Sequence, residues 1–303
     1  MGVQGTRMST RRQVLKGLAL TSFGLAGYSP ARAADSMAAG GLDLGTPASL
    51  MRALVRMRGS LDERIAYIWL RGIRYTLVDG EALPMCAYLG GSITRYRRLS
   101  DEMYEFLIYE ISYYTDIESG EILETLRMPY TDREVSVPLY RSGPGRHVIM
   151  MANDEELEWS RESTTSEELA RQIAPDAKIF YSFRVRPSQA FGGNVWIRSD
   201  SFTRVAPYDP GEKTMFYKEA ITYRAREADL AEPDAPQVDA TISFAIATAW
   251  RPWMEMEGVD GHTVADGFGG KVFDIGEMPE DFVRFTAAHH PDVLKDPDAL
   301  LKS

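Results

Sequence analysis

Glu110 lies in a stretch of alternating aromatic and polar residues that is typical of a β-strand. Tyr109, Ile111 and Tyr113 would share one face of that strand, and Glu110 and Ser112 the other. A carboxyl group on an inward face must be paired or protonated, because an isolated charge is costly to bury. Burial raises its pKa and makes it a usable general acid or base. The alternative, a solvent-facing glutamate on a two-sided strand, stays open.

Two arginines in similar β-like surroundings, Arg95 and Arg204, are candidate anion-binding residues. An inward guanidinium can bind a substrate carboxylate or stabilise a developing oxyanion through charge-assisted hydrogen bonds. The alternative for each is a structural salt bridge, with Glu110 or Glu219 as partner. Both roles, anion binding and a structural salt bridge, place arginines and glutamates near one another in the fold.

Three further side chains are candidates for proton transfer. Tyr113 and Tyr223 would donate hydrogen bonds, and His262 would be a second candidate base. His262 lies in a glycine-rich segment close to Asp266, and a surface histidine is the alternative there.

An aromatic segment supplies candidate substrate-binding residues. Trp250, Trp253 and Met254 surround a proline beside a predicted strand end, and we expect them to form one wall of a binding site. Tyr88 is assigned to the same wall. Aromatic and thioether side chains suit a flat apolar ligand. Core packing explains the same composition and stays open.

Composition narrows the classes of protein. The 303 residues contain 34 basic and 44 acidic side chains, a net charge of −10, which argues against a nucleic-acid partner. Four histidines and one cysteine, Cys86, give no internal disulfide and no recognisable metal-ligand spacing. Its apolar neighbours predict that Cys86 is a buried, inert thiol. We therefore expect no cofactor and no metal site, although a metal loaded before export stays open.

Standard catalytic motifs are absent from the sequence: it has no P-loop, G-x-S-x-G elbow or H-E-x-x-H pair. Gly267-Phe268-Gly269-Gly270-Lys271 lacks the P-loop spacing, and we interpret it as a plain turn.

The first 33 residues are interpreted as a twin-arginine signal peptide. Arg11-Arg12 precede a short, mildly apolar run, and Ala31-Arg32-Ala33 supplies a small-x-small cleavage site. We expect recognition by the twin-arginine translocon, export to the periplasm and no membrane insertion after cleavage. Residues 34–46 are expected to be a linker before one β-rich domain, residues 47–303.

The remaining pattern predicts a mainly antiparallel β protein, a barrel or a strongly curved lipocalin-like sheet with a few peripheral helices. Strands are predicted at 65–78, 85–96, 103–114, 135–139, 147–151, 178–186, 194–204, 214–224 and 240–248. Helices are predicted after Thr46-Pro47, between 153 and 176, and from Pro279 to about His290.

An internal similarity raises the alternative of two pseudo-repeated halves. Ser92-Ile93-Thr94-Arg95 resembles Ser201-Phe202-Thr203-Arg204, and an acid followed by an aromatic residue comes later in each, at Glu110 and Glu219. A duplication would place both glutamates around a shared interior. Chance similarity between tyrosine-rich strands is equally open.

Three motifs resemble one family. They are Tyr67-x-Trp69 with Tyr75-x-x-Val78-Asp79-Gly80, Ile111-Ser112-Tyr113-Tyr114-Thr115-Asp116 through Pro129-Tyr130-Thr131, and Trp250-x-Pro252-Trp253-Met254. Together they resemble the DUF1838 family, a domain of unknown function in exported bacterial proteins and in fungal proteins. The resemblance spans about residues 50–295 and implies a single domain. It assigns no catalytic residue.

These observations support a functional hypothesis and one alternative. The first is an exported, cofactor-independent enzyme, a lyase or isomerase, performing acid–base chemistry on a small apolar or aromatic molecule. The alternative is a lipocalin-like periplasmic carrier of a hydrophobic ligand. The oligomeric state and the strand faces that line the interior are left open by the sequence.

Overall fold

The computed structural model describes residues 42–101, 103–152, 156–159, 178–206 and 215–302. The expected signal peptide and residues 34–41 of the linker lie outside the described residues. The helix predicted between residues 153 and 176 also lies outside them, except at residues 156–159, which form a strand.

Strands dominate the described part of the chain. They are β1 (Ala66–Val78), β2 (Glu81–Arg98), β3 (Met103–Thr115), β4 (Thr125–Arg127), β5 (Glu134–Ser136), β6 (Tyr140–Ala152), β7 (Glu156–Trp159), β8 (Lys178–Phe191), β9 (Asn194–Ala206), β10 (Met215–Arg226), β11 (Thr241–Thr248) and β12 (Gly261–Val272). The helices are α1 (Pro47–Arg58), α2 (Glu227–Ala231), α3 (Glu280–His289), α4 (Pro291–Lys295) and α5 (Pro297–Leu300). Short 3₁₀ turns cover Pro252–Met254 and Ile275–Glu277.

Ten of the strands pair in the order β1-β12-β11-β10-β9-β8-β7-β6-β3-β2, and β4 and β5 form a separate small hairpin. All the pairings are antiparallel, and β1 pairs with both β2 and β12. The link between β7 and β8 is a single residue pair, Glu156 with Arg184. The prediction of a mainly antiparallel β protein with a few helices is confirmed.

The Asp79-Gly80 turn joins β1 to β2 as its sequence indicates. Both residues have positive φ, 52° at Asp79 and 77° at Gly80, which is the backbone of a two-residue hairpin turn. The turn sets the register of the long β1–β2 pair, in which Val78 lies opposite Glu81.

The glycine-rich segment interpreted as a turn is instead part of β12, so that interpretation is wrong. Its residues pair along β1, with Gly267 opposite Gly72 and Gly269 opposite Leu70. A Cβ atom on Gly269 would lie 1.9 Å from the carbonyl oxygen of Trp69, and one on Gly267 2.1 Å from that of Arg71. Glycine is required here because β12 approaches the β1 backbone too closely for a side chain.

Helix α1 packs at one end of the sheet. Thr46 caps it, accepting a hydrogen bond from the Ser49 amide at 3.2 Å. Its apolar face, including Leu54, joins one core cluster with inner residues of several strands, including Tyr96 and Tyr223. Burying this apolar face accounts for the position of α1.

Two cations hold the carboxyl end of α1. The Arg56 guanidinium donates to the carbonyls of Asp229, Leu230 and Glu232 around α2, at 2.8–3.0 Å. Lys271 of β12 donates to the carbonyls of Arg56 and Gly59 at 2.6 and 2.9 Å. These bonds fix the position of the last residue of α1, Arg58.

Helices α3 to α5 cover the outer face of β2 and β3. Phe282 and Phe285 of α3 contact the Tyr113 ring, with centroids 5.9 and 5.6 Å apart. The predicted end of the long C-terminal helix is confirmed, because α3 ends at His289. None of the helices in the described ranges is long and apolar enough to cross a bilayer.

Candidate active site

The two faces of β3 are clearly distinguished by their contacts. Tyr109, Ile111 and Tyr113 belong to the core cluster beneath α3, on the outer face. Strand alternation therefore turns Glu110, Ser112 and Tyr114 to the inner face. Consistent with this, the Ser112 hydroxyl lies 3.0 Å from that of Tyr88 on β2.

Glu110 and Glu219 occupy equivalent positions in two hairpins. Ser92 of β2 pairs with Glu110 of β3, and Ser201 of β9 pairs with Glu219 of β10. In the strand order, four strands separate β10 from β3, namely β9, β8, β7 and β6. The charge of Glu219 acts on Glu110, so the two carboxyl groups lie near one another, as the repeat hypothesis requires. Whether the hairpins arose by duplication stays a prediction.

Burial and, to a smaller extent, the charge of Glu219 raise the pKa of Glu110 to about 7, while the charge of Arg58 opposes the shift. Burial also raises the pKa of Glu219, against a hydrogen bond from the Tyr217 hydroxyl at 2.8 Å and the charge of Arg58. Both carboxyl groups are only half-buried by accessible surface.

Arg58 brings a positive charge to these carboxyl groups from the end of α1. Its guanidinium lies over the rings of Phe106, Tyr223 and Tyr96, at 4.9, 5.5 and 5.9 Å from the centroids. Tyr223 therefore lies on the inner face, and burial raises its pKa. The Arg58 charge lowers the pKa of Glu110 as well as that of Glu219.

Replacing Arg58 with methionine should raise the pKa of Glu110 above its value of about 7, by at least about 1, because an opposing charge is removed. The measurement is a carbon-13 NMR titration of labelled glutamate carboxyls, with the Glu110 signal assigned from its loss in Glu110→Gln. Arg52→Met is the matched control, since Arg52 is an exposed arginine of the same helix. An unchanged Glu110 titration in Arg58→Met would contradict the assigned role.

A continuous chain of aromatic rings runs along the interior. Trp253 and Tyr114 have centroids 5.5 Å apart, Tyr114 and Tyr88 6.3 Å, and Tyr88 and Phe244 6.0 Å. Burial raises the pKa of Tyr88, and the charge of Glu110 raises it further. Tyr88 therefore belongs to both the aromatic chain and the surroundings of the carboxyl pair.

The other predicted wall residues pack at the end of the sheet opposite α1. Met254 is fully buried, and Trp250 packs against the same cluster, where its indole donates to the Val259 carbonyl at 3.1 Å. Their contacts are those of core packing. Trp253 and Tyr88 are the members of the predicted wall that continue into the aromatic chain.

Three predicted site residues have their assignment corrected. Arg95 forms an ion pair with Asp298 of α5 on the outer face. Tyr113 lies under α3, where its hydroxyl is 3.0 Å from that of Thr286. His262 contacts Phe216, while its neighbour Thr263 points inward. The positions of these three side chains follow from strand alternation, which places them on the face opposite the carboxyl pair.

The prediction for Arg204 stays open. Its backbone lies in β9 opposite Phe216, and its side chain lies outside the described residues.

Several interior residues were missed by the sequence reasoning. Tyr217 could have been found, because it stands two positions before Glu219 and so on the same strand face. Tyr140 could not have been found, since its strand was predicted to begin only at residue 147. Burial and, to a smaller extent, the charge of Glu110 raise the pKa of Tyr140 to about 12. Arg58 and Arg74 carry no sequence signal, because their position depends on how the elements meet.

Cys86 is fully buried, and burial raises the pKa of its thiol to about 11, as expected of an inert cysteine. Within the described ranges, no three histidine, cysteine, aspartate or glutamate side chains lie close enough together to hold a metal ion.

A family model described as "Protein of unknown function (DUF1838)" matches residues 62–161 and 200–302. The chain therefore belongs to the DUF1838 family, as its motifs indicate. The match includes β3 and β10, the strands that carry Glu110 and Glu219. A search of curated proteins finds no match.

Proposed function

We propose that the protein is an exported, cofactor-independent enzyme that transfers protons to and from a small apolar or aromatic substrate, as a lyase or isomerase. The proposal includes a lipocalin-like barrel in which the ten paired strands enclose the substrate. The observation that carries it is the pair of neighbouring carboxyl groups, with the pKa of Glu110 raised to about 7. A group with this pKa can accept and return a proton at neutral pH.

The carboxyl groups have different roles in this mechanism. Glu219 accepts the Tyr217 hydrogen bond and lies near Arg58, so it holds the negative charge. The negative charge of Glu219 disfavours ionisation of Glu110, so Glu110 is the group that exchanges the proton. The substrate lies against Tyr88 and the neighbouring rings, and the Tyr88 hydroxyl donates to the oxyanion that develops when a carbon-bound proton is removed.

A carrier of hydrophobic ligands is the second candidate, favoured by the aromatic chain from Trp253 to Phe244. Binding a hydrophobic ligand does not require two neighbouring carboxyl groups, and their burial lowers the stability of the protein. It predicts retention of a ligand without turnover, and loss of that ligand when Trp253 is replaced.

The test begins with native mass spectrometry of the protein purified from its own periplasm. A mass corresponding to cleavage after Ala33 is expected, together with any retained small molecule. The released molecule is then incubated with the enzyme in D₂O, and deuterium incorporation or product formation is followed. Glu110→Gln should lower the rate at least about 100-fold, the usual contribution of a general base.

Glu118→Gln is the matched control, because Glu118 lies in an exposed turn after β3. It should retain the wild-type rate. Full activity in folded Glu110→Gln would exclude the proposed base, and retention without any turnover by the wild-type protein would identify a carrier.

A further inference from the structure

Arg74 is a buried arginine of β1 that the proton-transfer proposal does not use. The residue is 3% exposed, and its Nη1 donates to the Thr263 hydroxyl at 2.9 Å. Its Nε has no hydrogen-bond partner, and no carboxylate of the described ranges forms an ion pair with it. A buried guanidinium with one neutral partner is costly, because the lost hydration of its charge is not replaced.

The guanidinium of Arg74 lies against the aromatic chain. It is 5.6 Å from the centroid of the Tyr114 ring, which contacts both Tyr88 and Trp253. Its charge also lowers the pKa of Tyr88, against the larger effect of burial. A ligand stacked on these rings would therefore place its edge beside an arginine with unused hydrogen-bonding capacity.

The charges of the described interior side chains do not balance. Arg58, Arg74 and Arg251 are cations there, Arg251 lying 5.6 Å from the centroid of the Tyr217 ring. The acids among the described side chains of the inner face are Glu110 and Glu219, and Glu110 is only partly ionised at neutral pH. Among the described side chains, cations therefore exceed anions there, so an organic anion would improve this balance on binding.

We propose that the ligand of this interior is a carboxylate on a flat apolar body, bound through its carboxylate to Arg74. Arginine offers the planar, charge-assisted bonds that suit a carboxylate. The rings of Tyr88, Tyr114 and Trp253 take the apolar body. This inference rests on the proposed function and specifies its substrate class.

The test compares the binding of two probes of the same shape, 2-naphthoate and 2-naphthamide, by isothermal titration calorimetry. The wild-type protein should bind the carboxylate at least about tenfold more tightly than the neutral amide. Arg74→Met should remove that preference by weakening 2-naphthoate binding alone, and Arg74→Lys should retain part of it. Arg71→Met is the control, because Arg71 lies on the same strand as Arg74 but is exposed and pairs with Asp281 of α3.

Equal affinity of the wild-type protein for the two probes would overturn the inference. This comparison uses the wild-type protein alone, so it does not depend on the folding of a variant. An unchanged preference in folded Arg74→Met would overturn it as well. Glu110→Gln should keep the preference, because Glu110 transfers protons and does not hold the carboxylate. Loss of turnover and loss of carboxylate preference therefore report separately on the proposed function and on this inference.

Discussion

Glu110→Gln should make the protein more stable than the wild type at pH 8.5, by about 2 to 3 kcal/mol, and change little at pH 4.5. Folding raises the pKa of Glu110 from 4.5 to about 7. The wild-type side chain is therefore protonated in the native state at low pH, where it resembles glutamine. Its contribution to stability is complete below the unfolded pKa and is lost as the pH rises through 7.

The expected effect combines two costs of the ionised state. Burial disfavours the Glu110 charge, and repulsion from Glu219 adds to this, while Arg58 compensates only in part. Glutamine carries no charge, so it removes both costs at high pH. The free energy of unfolding should be measured by urea denaturation at pH 4.5 and 8.5.

Glu118→Gln should change stability little at either pH, since its side chain is exposed. A Glu110→Gln variant that is no more stable than the wild type at pH 8.5 would show that the carboxyl group ionises without cost. That result would remove the electrostatic basis of the proposed acid–base role.

Gly269→Ala should destabilise the protein by about 3 kcal/mol or more, the range of severe overpacking. The new Cβ atom would lie 1.9 Å from the Trp69 carbonyl oxygen, so the β1–β12 pair would have to separate. Alanine restricts the unfolded chain more than glycine does, which offsets less than about 1 kcal/mol.

Gly270→Ala is the matched control one position further along β12. There the nearest atom to the new Cβ would be Nε1 of the Trp69 side chain, at 3.1 Å, and a side chain can move more readily than a backbone. Thermal unfolding of both variants tests the difference. Equal melting temperatures for the two variants would contradict the close approach of β12 to β1.

Most strands could be predicted from the sequence because their aromatic and polar residues alternate. β12 could not, since the feature that makes it a strand is a close contact with β1, and its glycines have no side chains to alternate. The same alternation identified Glu110 and Ser112 as one face of β3, but it does not say which face is inward. Contact of Tyr113 with α3 decides this, and α3 is distant in the sequence.

The residues of the candidate site that could be predicted are those that lie on strands. Glu110, Tyr88 and Tyr223 follow from strand patterns, whereas Arg58 depends on the end of α1 meeting β3 and β10. Arg95 and His262 were assigned to the site by residue type. Their strand faces are set by the outer helices and by the register of β12, which periodicity alone does not give.

The matched hairpins of Glu110 and Glu219 differ at one position that makes the pair asymmetric. Two residues before Glu219 stands Tyr217, whose hydroxyl donates to that carboxyl group, and two residues before Glu110 stands Ile108. An arrangement with two identical halves would share a proton equally between its carboxyl groups. The single tyrosine breaks that symmetry, so the proton has a defined resting place on Glu110. A substrate would thus meet a group that exchanges protons on one side and a fixed anion on the other, so the two sides of the site are not interchangeable.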